Sequence, residues 1–293
     1  MRTAIIAALG LALTLVSGCS ALRLGYGAAP DLAYWWLDGY VDFDRAQSAK
    51  VHAAIADWFA WHRTGQLPDY AALLVRARAE VQVDVTPTRV CEWQADVIKR
   101  ADIAFDRIAP SAAEVLLTIT PEQIAHIESR YAKFNEEFAD EYLQPDPAKR
   151  AAATLKRTLE RAEMLYGSLD NGQRARMSAA LARSPFDPEF WLTERKARQR
   201  EALDLMRRLT QDRSATREQA QAALRGYVDH LERSPREPYR RYSDRLSEFN
   251  CAFAATLHNG TTAAQRRHAV KALAGWEGDL RALVAKTDPT PMQ

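Results

Sequence analysis

The side chain in this sequence with the clearest chemistry is the thiol of Cys19, in Leu15-Val16-Ser17-Gly18-Cys19. Ser17 and Gly18 are small enough for the backbone to enter a peptidase site. The Cys19 sulfur can form a thioether to diacylglycerol, and the amino group freed by cleavage can take a further acyl chain such as palmitate. Ahead of this segment stand Met1-Arg2-Thr3 and an apolar run, Ala4 to Leu15, too short to cross a bilayer. The arrangement predicts a signal peptide over 1–18 and lipid attachment at Cys19. One acyl chain holds a protein marginally, at about 0.8 kcal/mol per buried methylene, whereas several anchor it stably.

A second polar group is His62-Arg63, followed by Gln66 and Tyr70, among aromatic residues. A functional reading has His62 and Arg63 bind an anion or a partner carboxylate, with Tyr70 beside them. The structural reading is preferred: His62 ends an apolar helical stripe and Arg63 caps the helix C-terminus, where a cation is favoured by roughly 0.3–1 kcal/mol. Glu136, Glu137, Asp140 and Glu141 form an acidic cluster. His126 is too far along the same helix to complete a metal site with them, so no metal is expected. Arg195, Lys196, Arg198 and Arg200, and then Arg236, Arg240, Arg241 and Arg245, are basic counterparts. They read as solvated faces, with anionic headgroups or acidic partners as the functional alternative.

No nucleophile elbow, phosphate-binding glycine loop or paired-histidine zinc motif occurs. The sequence therefore points away from an enzyme and implies no cofactor. The net charge of +2 gives no electrostatic case for nucleic acid. Beyond Cys19 there are two cysteines, Cys91 and Cys251. They read as buried free thiols in preference to a disulfide, although an exported protein would allow one.

These groups need elements to hold them. The mature chain is long enough to bury a core, and 27% charged with 47% hydrophobic residues describes a folded body. Residues 19–33, small and glycine-containing, read as a lipidated tether. Tyr34, Trp35, Trp36 and Tyr40 follow. They either begin the core, the preferred reading, or rest in the headgroup layer beside the anchor. Asp44 opens a helix through Val51, Ile55, Trp58 and His62, which Leu67-Pro68 breaks. A second helix covers about 69–82. Another starts at Thr86-Pro87 and ends at Ala109-Pro110. Ile124, Ile127, Tyr131, Phe134, Phe138 and Tyr142 alternate by three and four, as in a bundle. Further helices are predicted over 148–167, 171–182, about 189–209, 216–232, from Ser234-Pro235 to about Leu257, and about 263–285. No period-two run is sustained. The expectation is an all-α periplasmic domain over 34–287, an elongated helical bundle or a stack of helical hairpins, with a frayed tail over 288–293.

One local pattern recurs: a capping residue, two residues, then glutamine. It stands at Asp44/Gln47, Thr120/Gln123, Asp170/Gln173, Thr216/Gln219 and Thr262/Gln265. This is a capping box, in which the cap oxygen accepts from the backbone N–H three residues on and glutamine reaches back to the cap's own N–H. The later intervals fit either repeated helical hairpins or the chance frequency of such boxes.

Two resemblances accompany these residues. Ile119-Thr120-Pro121-Glu122-Gln123 and Leu169-Asp170-Asn171-Gly172-Gln173 resemble, incompletely, the Leu-Thr-x-x-Gln signature of small periplasmic stress chaperones related to Spy and CpxP. More broadly, Cys19-Ser20, Tyr26, Trp36-Leu37-Asp38-Gly39-Tyr40, Asp44 and Gln47, Trp61-His62-Arg63 and Leu67-Pro68-Asp69-Tyr70 are similar to a proteobacterial lipoprotein family of unknown function. Gln66 stands where that family has an acidic residue. The resemblance implies a helical fold and, with serine after the cysteine, attachment to the outer membrane facing the periplasm. The expected function is non-enzymatic: an envelope protein-binding or chaperone-like factor, held to the membrane by its lipid. The alternatives are a scaffold binding peptidoglycan or lipid and, further off, an undescribed hydrolase.

Overall fold

The computed structural model describes residues 21–285. The predicted signal peptide 1–18, Cys19 and the tail 288–293 lie outside the described residues. The described chain is all-α, with no strand among its described residues. Its helices are α1 (Ala21–Val41), α2 (Arg45–Trp61), α3 (Leu67–Glu80), α4 (Pro87–Leu116), α5 (Pro121–Tyr142), α6 (Pro147–Tyr166), α7 (Asn171–Leu181), α8 (Pro188–Gln211), α9 (Arg217–Glu232), α10 (Glu237–Asn259) and α11 (Ala263–Ala285). A π-helical turn, His62–Gln66, joins α2 to α3.

Helix α4 is the spine. Its 30 residues extend about 45 Å at 1.5 Å per residue. Near its start it lies along α10, and the two are cross-linked by a Cys91–Cys251 disulfide with the Cα atoms 5.5 Å apart. Toward its end it packs on α2 and α9. There Arg225 of α9 pairs with Asp102 and Asp106 at 3.1 and 3.0 Å. Leu116, Ile119, Ile124, Ile127, Leu203 and Leu205 form the core between α4, α5 and α8. The two ends of the described chain meet: Leu67 and Ala71 of α3 pack on Leu280 and Leu283 of α11, with Leu22 and Tyr26 of α1 against them.

The capping boxes organise these crossings. All five form, and four of them join in two pairs. Gln47 and Gln123 donate to each other's side-chain oxygen at 3.1 and 2.6 Å. Gln173 and Gln265 do the same at 2.8 and 2.9 Å. Each amide also donates to the carbonyl two residues before its partner's cap: Thr118, Asp42, Gly260 and Ser168 respectively. Every amide oxygen accepts in addition from its own cap N–H. Each of these four amides thus uses two donors and two acceptor positions, its full capacity. The turns before two of the boxes contain positive φ angles, Asp42 at 58° and Gly167 at 73°. The box at Thr216/Gln219 is exposed and closes only on itself. The first box therefore pairs with the second and the third with the fifth, each across helices distant in sequence.

Several expectations are corrected. Cys91 and Cys251 are bridged, not free thiols, because α4 and α10 run side by side and bring distant residues together. The tether expected up to residue 33 is helical from Ala21, since Leu22 and Tyr26 have a core to pack on. Of the four aromatic residues after it, only Tyr34 and Tyr40 point inward. Tyr34 stacks on His52 at 3.7 Å and Tyr40 on Phe134 at 5.1 Å. Trp35 and Trp36 are 73% and 55% exposed and do not start a core. Helix α4 passes through Pro110 to Leu116; burial of Ala109, Ala113 and Leu116 outweighs the one backbone bond that proline removes. Leu67-Pro68 breaks nothing, because Pro68 falls in the first turn of α3, where its missing N–H costs little.

Candidate functional site

The π turn sets the geometry at His62. A single turn of i→i+5 bonding, closed by Leu67 N–H donating to the His62 carbonyl, inserts a residue and re-aims the side chains that follow. His62 is buried. Its Nδ1 is hydrogen-bonded to the Tyr26 hydroxyl at 2.9 Å. The imidazole stacks on Trp58, with centroids 4.6 Å apart, and meets Tyr70 edge-on at 5.4 Å. Trp58 is fixed in turn by its indole N–H, which donates to the Ala104 carbonyl at 2.9 Å. Burial lowers the His62 pKa, so the ring is held neutral. Burial also raises the Tyr26 and Tyr70 pKa values, against the opposing charges of Arg63 and Arg100.

The structure thus brings His62, Arg63 and Tyr70 together but assigns Arg63 a different place from the one expected. The helical backbone continues from α2 through the π turn into α3, so no helix end stands free there for it to cap. Its guanidinium lies 5.6 Å from the Tyr26 ring centroid. The partner of His62 is a phenol and not a carboxylate, so this grouping is a packed aromatic cluster and not an acid–base pair. The other charged clusters also resolve. Glu136, Glu137, Asp140 and Glu141 are exposed, and Glu141 pairs with Arg157. Arg198 and Arg236 turn inward onto Glu194, which is 4% exposed and also accepts from Ser234. Arg241 pairs with Glu237, while Lys196, Arg200 and Arg245 stay exposed. Among the described residues no group of His, Cys, Asp or Glu converges as a metal ion would need.

Beyond Tyr70 opens an apolar cleft of about 620 Å³, between α3 and α4 with α11 and α1 closing it. Leu73, Leu74 and Ala77 come from α3, Trp93, Val97 and Ala101 from α4, Trp276 and Leu280 from α11, and Leu22 from α1. The α3–α4 connection splays these helices. They are tied at one end by Glu80, which accepts from Arg89 at 2.6 Å and from the Trp93 indole at 2.8 Å. Arg76 bridges to Asp96 and lies 4.4 Å from the Trp93 ring centroid. Trp93 is therefore held rigidly in the cleft wall. At the other end Arg100 donates to the Asp96 carbonyl at 2.9 Å, while its Nε is buried with no hydrogen-bond partner. An apolar trough with one cation and one phenol at its end suits the apolar face of a helix, or an extended chain, bearing an acidic group.

The sequence marked Tyr70 but not the cleft. Leu73, Leu74 and Ala77 fall on the helix predicted over about 69–82; the splay that leaves them partly open at the cleft depends on contacts between distant helices. Val97 of α4 is 61% exposed at the cleft.

No curated protein and no solved structure matches the chain. Residues 39–223 match a family of unknown function (DUF6279). The match begins within α1, takes in the π turn, Tyr70 and the α3–α4 cleft walls, and extends into α9. It covers more than half of the chain, which belongs to this family.

Proposed function

We propose that this chain is an outer-membrane lipoprotein, acylated at Cys19, whose periplasmic helical body is a non-enzymatic protein-binding factor. Its α3–α4 cleft takes the apolar face of a segment from another envelope protein. The observation that carries the reading is the cleft itself: partly open apolar walls, an immobilised Trp93 and, at one end, Arg100 with a buried Nε that has no hydrogen-bond partner. Binding in such a groove draws on apolar burial at about 25 cal/mol per Å² for its strength and on the cation for its register. Chaperone-like holding of unfolded clients fits the same surface. The incomplete Leu-Thr-x-x-Gln resemblance at Thr120/Gln123 and Asp170/Gln173 accords with that reading.

The test is suppression of aggregation of a chemically unfolded client by the purified protein. The unaltered chain is expected to suppress it, and Val97→Glu, a change at an exposed cleft position that leaves the core alone, to lose that effect. Equal suppression by both, or by neither, contradicts the proposal. Displacement of the client by a long-chain fatty acid would favour the lipid-binding alternative.

A further inference from the structure

The outward face of α1 is apolar and uncovered. Leu24, Leu32, Trp35 and Trp36 are 62%, 58%, 73% and 55% exposed. At 3.6 residues per turn they fall within a sector of about 120°. Among the 21 residues of α1 the charged ones are Arg23, Asp31 and Asp38, and of these only Asp31 is exposed. A helix face turned to water normally carries charge at several positions. Gly25, Gly27 and Gly39 are also exposed, and a Cβ at any of them would meet nothing within 4 Å. Packing therefore does not require these glycines, and among the described residues nothing covers this face.

The opposite face is locked to the body. Tyr34 donates to the Ser48 hydroxyl at 3.0 Å and stacks on His52; Tyr40 stacks on Phe134 of α5. Arg23 pairs with Asp279 of α11 at 3.0 Å. The helix is held from α2, α5 and α11, so its outward face has a fixed direction.

Chain length then says what lies next to that face. Cys19 precedes Ala21 by two residues, a reach of at most about 7 Å. A bilayer holding the lipid of Cys19 must lie within that distance of the α1 N-terminus. We infer that α1 lies in the plane of the membrane surface, with Leu24, Leu32, Trp35 and Trp36 seated at the headgroup–acyl boundary. Tryptophan favours that depth because its ring is apolar and its N–H polar. An in-plane helix of this kind buries its apolar face by about 5–10 Å. The anchor and α1 together fix the orientation of the whole bundle on the membrane. The inference rests on the proposed acylation of Cys19 for the proximity of the bilayer, and on the exposed face for its orientation.

The experiment mixes the purified full chain with phosphatidylethanolamine/phosphatidylglycerol vesicles containing nitroxide lipid, labelled either near the headgroup or at the chain end. Tryptophan emission is compared with that of Trp35→Phe/Trp36→Phe. The mass of the N-terminal peptide from the same sample reports acylation separately. Stronger quenching by the shallow label, lost in the double variant, is the expected result, and it supports the inference whether or not the peptide is acylated. An acylated chain whose quenching is unchanged in the double variant overturns the inference and leaves the anchor standing. An unacylated chain without quenching overturns both. Burial of Trp35 and Trp36 in a dimer, seen as concentration-dependent mass without lipid quenching, overturns it in favour of a second copy of this chain.

Discussion

Gln47 and Gln123, 76 residues apart, exchange amide hydrogen bonds across the start of two helices while each still closes its own capping box. Both are buried, Gln47 at 2% exposure. Gln47→Ala removes the amide and leaves the Gln123 amide, the Asp44 N–H and the Thr118 carbonyl short of partners. At about 1–3 kcal/mol for each buried group left unsatisfied, the expected loss is at least about 2 kcal/mol. Gln219→Ala, in the exposed box that pairs with nothing, is expected to cost about 1 kcal/mol or less. Urea denaturation of the two variants measures the difference; equal losses would mean that the pairing adds nothing beyond local capping.

The disulfide closes a loop whose ends are 160 residues apart in sequence. By chain entropy, replacing both cysteines with serine is expected to cost about 3–5 kcal/mol. A shift of the urea midpoint in the unaltered chain on addition of reductant, absent in Cys91→Ser/Cys251→Ser, checks this.

Two groups make stability fall on acidification, in separate windows. His62 has its pKa lowered by burial, so the unfolded chain binds the proton first. Its contribution is complete above the unfolded value of about 6.5 and is lost as pH falls through the lower folded value. His62→Phe is expected to flatten the stability curve below about pH 6.5. Glu194 acts lower. Burial would raise its pKa, but hydrogen bonds from Arg236, Ser234 and Arg198 outweigh that and hold it down. Its contribution is complete above the unfolded value of about 4.3 and is lost as pH falls through the folded value. Glu194→Gln is expected to remove that acid slope. Arg236→Ala, which removes the donors to Glu194 Oε2 and Oε1 but leaves Arg198 and Ser234 on Oε1, is expected to cost about 1.5–3 kcal/mol at neutral pH. Unfolding free energies from pH 3 to 8 for the three variants provide the check.

These residues also show what a sequence can and cannot display. Helix starts were legible because a capping box is chemistry within four residues, and all five formed where Asp or Thr preceded glutamine by three. The stripe from Ile124 to Phe138 was legible for the same reason, as a period within one helix. The pairing of Gln47 with Gln123, the Cys91–Cys251 bridge and the inward turn of Arg198 and Arg236 onto Glu194 join residues that local patterns never compare. Helix α1 was hidden by Gly25, Gly27 and Pro30, which dilute its periodicity. The π turn was hidden because Leu67-Pro68 carries the ordinary signal of a break. At the candidate site, His62, Arg63 and Tyr70 stood out as residue types; the neutral stacked ring and the cleft beyond Tyr70 required the packing of α1, α3, α4 and α11.

The most direct test of the binding proposal is photo-crosslinking in living cells from a photoreactive side chain replacing Val97, in the wall of the α3–α4 cleft. The control is the same group replacing Met164, 65% exposed on α6. The account predicts discrete adducts with envelope proteins from position 97, diminished by Arg100→Glu, and none from position 164. Adducts of equal yield from both positions, or none from position 97 in cells carrying the intact lipidated protein, would contradict it.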